Sequence, residues 1–164
     1  MNLKFLDEYA GQSTQELIDM AQEYRVDSLV LALEQGLEVK TTPPPLNVTE
    51  RTVLAVEALE REVNNGGYEQ FFLNSSSEYA LEIVAALNRI GCPVTSGLTQ
   101  RAIDGLKISG PLTLEAIEEV IEEEDASREE TLQGLDDEYF ESGEAIADRL
   151  FAFVCANVSE VRLP

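Results

Sequence analysis

The chain is 164 residues long and 44% hydrophobic, and it carries a formal net charge of -21 with no histidine. That length suits one domain, residues 1-164, and the apolar content excludes a chain too polar to fold. The charge repels phosphates, which argues against free nucleic acid as a ligand and favours a basic protein surface, while the absence of His removes the commonest general base and metal ligand. Catalysis would have to rest on carboxylates, Tyr or Cys, and the expectation is a non-enzymatic protein without cofactor or metal. Cys92 and Cys155 form no C-x-x-C pair and read as buried, reduced thiols. No signal-peptide pattern and no apolar run near the ~18 residues of a membrane span are present, so a soluble, cytoplasmic protein away from membranes is expected.

Ser13 with Glu16 forms a capping box, in which a hydroxyl and a carboxylate satisfy each other's backbone donors at a helix start. The apolar positions that follow, Leu17, Met20, Ala21 and Tyr24, are out of phase with Val26, Leu29, Val30, Leu33 and Leu37. Either the helix breaks near Arg25 to Asp27 or one long helix packs on two sides, with Gly36 as its stop. Pro43, Pro44 and Pro45 exclude a helix and favour a stiff, extended connection. Asn47 or Thr49 caps the next helix, whose stripe is Val53, Val56, Leu59 and Val63.

This helix runs into Asn64-Asn65-Gly66-Gly67 and at once into Tyr68, Phe71 and Phe72. Gly and Asn tolerate the positive φ of a helix end, so Asn65 or Gly66 closes one helix and Tyr68 opens another across a sharp corner. The second piece ends at Asn74, where Ser75 with Glu78 gives another capping-box pattern. The run E-x-x-E-x-E-x-N-N-G-G-Y-x-Q-F-F-x-N, from Glu57 to Asn74, resembles the signature of the bacterial DNA-mimic-protein domain family. A looser similarity extends through Tyr79 to Ile90 and the segment with Leu135, Asp136, Tyr139 and Phe140. The resemblance implies an all-helical domain, in a family that includes a protein imitating the charge pattern of DNA to occupy a transcription factor. Asn64, Asn65, Gly66, Gly67, Tyr68, Gln70, Phe71 and Asn74 are expected to serve the fold rather than a ligand.

Beyond the corner, Tyr79, Ile83, Leu87 and Ile90 predict a helix closed by Gly91 and Pro93. Thr95 or Ser96 opens a shorter one with Leu98, Ala102, Ile103 and Leu106, ended by Ser109, Gly110 and Pro111. Thr113 caps a helix to Asp125 with Leu114, Ile117, Val120 and Ile121 inward, and a last helix spans about Gly143 to Asn157, with Ile146, Leu150, Phe153 and Val154 inward. No segment alternates with strand period. The fold class is therefore all-α, a bundle of six to eight helices, with Val53, Val56, Leu59, Tyr68, Phe71, Phe72, Ile83, Leu87, Leu150 and Val154 as the core.

The charge is unevenly placed: residues 1 to 112 hold 16 acids and 8 bases, whereas residues 113 to 164 hold 16 acids and 3 bases. From Glu115 to Asp148 only Arg128 opposes the acids. Glu115 and Glu119, Glu118 and Glu122, and Glu119 and Glu123 are like-charged pairs four apart, each costing about 0.2 to 0.5 kcal/mol on a helix. Acids at Glu122 to Asp125 would also oppose the helix dipole, adding roughly 0.3 to 1 kcal/mol each, against a typical stability of about 5 to 15 kcal/mol. A helix selected for stability alone would place Lys or Arg there. Glu115, Glu118, Glu119, Glu122, Glu123, Asp125, Glu129, Glu130, Asp136 and Asp137 are accordingly the candidate partner-binding residues.

Carboxylates four apart repeat every ~6 Å along a helix, whereas duplex DNA carries one charge per ~1.7 Å. Several acidic segments, or two copies in a homodimer, would be needed to approach a duplex. The expected partner is a basic protein such as a DNA-binding transcription factor. An immunity-type inhibitor of a basic toxin or nuclease fits the same charge, and so does a surface serving only solubility or salt adaptation, although the latter predicts an even spread of acids. A small-molecule site at Asn64, Asn65, Gln70 and Asn74, beneath Tyr68, competes with amides that cap helix ends. A hydrolase would need two carboxylates in separated environments, such as Glu62 and Glu69, and the sequence shows no such partition.

Overall fold

The computed structural model describes Asn2–Thr41 and Pro43–Pro164. Its class is all-α, with eight α-helices among the described residues and, outside them, an isolated bridge between Lys4 and Tyr24. α1 (Thr14–Asp19) starts on the expected capping box, Ser13 N donating to Glu16 Oε2 at 2.7 Å. A 3₁₀ turn (Met20–Gln22) follows, and α2 (Val26–Glu38) begins after Arg25, so the phase change does mark a break. Gly36 does not stop α2; it lies inside the helix, where an added Cβ would come 3.0 Å from Leu163 and 3.1 Å from Tyr9. Close packing explains this glycine. Pro43 to Pro45 include a bend and a cis Pro43-Pro44 bond rather than a straight extension.

α3 (Val48–Leu73) opens on Asn47, whose Oδ1 accepts from Glu50 N at 2.9 Å while its own N–H donates to Glu50 Oε2 at 2.9 Å. The expected corner interrupts α3 at Gly66 (φ -158°, ψ 18°) and Gly67 (φ 79°, ψ -176°). The helices gather into two compact units, one comprising the chain up to Glu57 with Ala145–Pro164, the other Ala58–Glu144. All ten expected core residues are buried: Val53, Val56, Leu150 and Val154 in the first unit, the aromatics with Leu59, Ile83 and Leu87 in the second. Each such side chain contributes ~1.5–3 kcal/mol through lost apolar exposure.

In the first unit α2 packs against α1 and against α8 (Ile146–Ala156), which buries Ile146, Leu150 and Val154 and leaves Phe153 half-buried. Cys155 is one step off that stripe and therefore exposed, contrary to expectation, while Cys92 is buried. Glu50 is fully buried and joins distant parts of the chain, accepting from Lys40 Nζ at 2.8 Å and Arg162 Nη2 at 2.8 Å. Burial opposes its ionisation, but the Arg162 guanidinium, then Lys40 and the backbone N–H groups, outweigh this and hold its pKa down at about 2.

In the second unit the Ser75–Glu78 pattern does not cap an α-helix; Ser75–Tyr79 is a 3₁₀ turn, with Ser76 Oγ donating to Phe71 O at 2.9 Å. α4 is consequently shorter than expected, Ile83–Arg89. α5 begins at Pro93, before Thr95, and ends at Gly105. Proline has no N–H to lose in a first turn, and the missing cap comes from far along the chain. The Glu144 carboxylate accepts from Val94 N (3.2 Å), Thr95 N (2.7 Å) and Thr95 Oγ1 (2.6 Å). α5 packs against both α4 and α7 (Ala126–Glu141), a helix with no clear sequence signal, whose buried stripe is only Arg128, Leu132, Leu135 and Tyr139.

Candidate functional site

The motif residues build the corner. Glu62, before the turn, accepts from Gln70 Nε2 at 2.8 Å and Asn74 Nδ2 at 2.9 Å, both after it. Asn64 Nδ2 donates to Glu60 O at 2.6 Å. Gly66 is needed because a Cβ there would overlap the Gln70 amide, and Gly67 because its positive φ brings its backbone against the Asp136 carboxylate. The helix that restarts at Tyr68 is capped by α7: Tyr68 N donates to Asp136 Oδ1 at 2.8 Å. Tyr68 is fully buried, its hydroxyl hydrogen-bonded to Thr99 Oγ1 at 2.9 Å and its ring edge-on to Tyr139 at 6.0 Å. Burial pushes its pKa up, Thr99 opposes this, and Asp136 and Glu60 push it further. Of the motif's polar side chains, those of Glu62, Asn64, Tyr68, Gln70 and Asn74 thus have internal partners.

α6 (Leu114–Glu122) starts on Thr113, whose Oγ1 accepts from Ala116 N at 3.1 Å, and buries Ile117 and Ile121. It stops before Asp125, which instead caps α7 by accepting from Arg128 N at 3.1 Å; this bond, opposed by modest burial, lowers the Asp125 pKa. Glu129 in the first turn of α7 likewise faces a favourable dipole end. The sequence expectation that Asp125 opposes a helix dipole is therefore corrected. So is the apparent lack of a base at the end of α6. Arg128, only 4% exposed, donates to Val120 O at 2.8 Å and to Glu123 O, filling the C-terminal carbonyls of α6.

Eight of the ten candidate acids, Glu115, Glu118, Glu119, Glu122, Glu123, Glu129, Glu130 and Asp137, are exposed on or beside α6 and α7. Asp125 and Asp136 are half-buried and bound to backbone N–H groups, which separates them from the free face. Burial raises the Asp136 pKa, the Tyr68 N–H opposes this, and Asp137 and Glu69 add to the rise. α7 is flanked by a small polar hollow lined by Gly66, Glu69, Glu129 and Asp136 and by a cleft of about 500 Å³ against α5. Arg101 at that cleft pairs in bidentate fashion with Glu138, at 2.7 and 3.0 Å. Sequence reading missed the cleft, because its α7 wall was not legible as a helix.

Fold and surface together define an acidic, all-helical protein with a glycine-centred corner and an outward carboxylate face. The model of the family described as DMP19-like protein matches residues 44–157, and the chain belongs to that DNA-mimic family. Comparison with curated proteins and with solved structures found no match. Among the described residues no helix is long and apolar enough to cross a membrane, and no group of three or more acids or cysteines is placed to hold a metal ion.

Proposed function

We propose that this is a non-enzymatic binding protein whose acidic face occupies the DNA-binding surface of a basic regulator in competition with DNA. One observation carries the reading. Arg128, the sole base between Glu115 and Asp148, is turned inward onto the α6 carbonyls, so eight exposed candidate acids face outward with no base from their own segment among them. A field of one sign steers an oppositely charged partner and raises its encounter rate. Membership of a DNA-mimic family supports the choice of a DNA-binding partner over a basic toxin or nuclease.

The test replaces Glu118, Glu119, Glu122 and Glu123 together by Gln. All four are exposed, so the fold should be retained and like-charge repulsion on α6 relieved. Exposed ion pairs each contribute about 0.2 to 1 kcal/mol, about 0.8 to 4 kcal/mol for four, so the affinity for a basic regulator captured from the native cell should fall by about fourfold or more at low salt. Association by the parent should slow steeply as salt rises, and DNA should compete. Equal binding by variant and parent at low salt, or a partner that DNA does not displace, would overturn the proposal.

A further inference from the structure

The cleft between α5 and α7 has a composition that an acidic surface does not require. Its uncharged lining is Thr131 and Leu135 with two glycines, one on each helix. A Cβ at Gly105 would meet Thr131 Cγ2 at 3.3 Å, so this glycine lets the helices approach; Gly134 has nothing within 4 Å of its Cβ position and opens the cleft. Among its charged lining residues the Arg101 charge is matched by Glu138, while Asp104, which accepts from Gln100 Nε2 at 2.9 Å, and Glu130 have no cationic partner among the described ion pairs. Apolar lining beside two carboxylates suits a guanidinium, which is planar and weakly hydrated, better than a strongly hydrated ammonium.

Resting on the acidic-face reading, we infer that this cleft receives one arginine side chain of the basic partner, its guanidinium lying over Leu135 and Gly134 between Asp104 and Glu130. The field of α6 brings the partner in, and the cleft fixes its register. The probe is N-acetyl-arginine amide, titrated into the full chain while backbone amide shifts are recorded, with N-acetyl-lysine amide as control. Saturable shifts at Gly105, Thr131 and Gly134 are expected, stronger with the arginine probe. Gly134→Leu keeps every charge, improves helix propensity at an open site, and should abolish them. Glu130→Gln, a change at an exposed position, should weaken the arginine probe by up to about fivefold. Shifts that spread over Glu115 to Glu123 and persist in Gly134→Leu, equal response to the lysine probe, or no saturable response would each overturn the inference. The four-glutamine α6 variant, read against the captured regulator, tests the broader function separately.

Discussion

Replacement of Gly67 by Ala tests how the corner is held. The residue sits at φ 79° and ψ -176°, a region essentially restricted to glycine, so a side chain there costs ~1–3 kcal/mol in backbone strain alone. The added Cβ would also overlap the Asp136 carboxylate and displace it from Tyr68 N, to which it is bonded at 2.8 Å. Loss of that charge-assisted bond costs a further ~1.5–3 kcal/mol, giving about 2.5–6 kcal/mol in all. For a chain of this size the corresponding fall in Tm is roughly 5–24 °C. Asp136→Ala alone should cost only the bond, about 1.5–3 kcal/mol. Because the double variant loses the same bond once, its cost should be less than additive by about that amount, measured by urea unfolding. Additive effects, or a cost under ~1 kcal/mol for Gly67→Ala, would refute the assignment.

Stability against pH should peak near pH 5. Glu50 ionises far more easily folded (about 2) than unfolded (4.5), so its contribution of about 3 kcal/mol is present above 4.5 and lost as pH falls toward 2. Burial raises Glu60 to about 7, so the folded state holds the extra proton between 4.5 and 7 and stability falls by up to ~3 kcal/mol as pH rises through that window. Denaturant titrations from pH 2 to 8 should show Glu60→Gln flattening the alkaline fall and Glu50→Gln the acid one; unchanged profiles would refute both assignments. Arg128→Met should cost about 1.5–3 kcal/mol by removing the charged donor to the Val120 and Glu123 carbonyls, leaving Val120 O only the Glu123 N–H at 3.3 Å, with faster amide exchange at the end of α6 as the local readout. Glu144→Ala removes the acceptor for the first turn of α5 and should cost about 1–3 kcal/mol, seen as exchange at Val94 and Thr95.

Much of this protein was legible in local sequence, because caps and glycine turns act over three or four residues. Ser13 with Glu16, Asn47 and Thr113 start their helices as expected, and Gly66-Gly67 turns the chain where expected. The family resemblance at Glu57 to Asn74 and the uneven charge were equally plain. Tertiary structure decided which groups complete those elements. Pro93 starts α5 because Glu144 supplies its cap, Tyr68 restarts α3 because Asp136 supplies another, and Arg128 fills the end of α6. Each of these partners lies on a different element from the helix end it completes, where no sequence period reaches. The same limit hid α7: its buried stripe is one residue per turn and includes an arginine, so only α5 and the corner packed around it distinguish the helix from a solvated acidic run. Thus the sequence alone determined how much negative charge there is and where it lies along the chain. The fold determined that Asp136 is spent on the Tyr68 N–H, 68 residues away, while eight other candidate acids stay exposed, because only packing decides whether a carboxylate meets a distant N–H group or water; Asp125 is instead engaged locally, as the cap of α7.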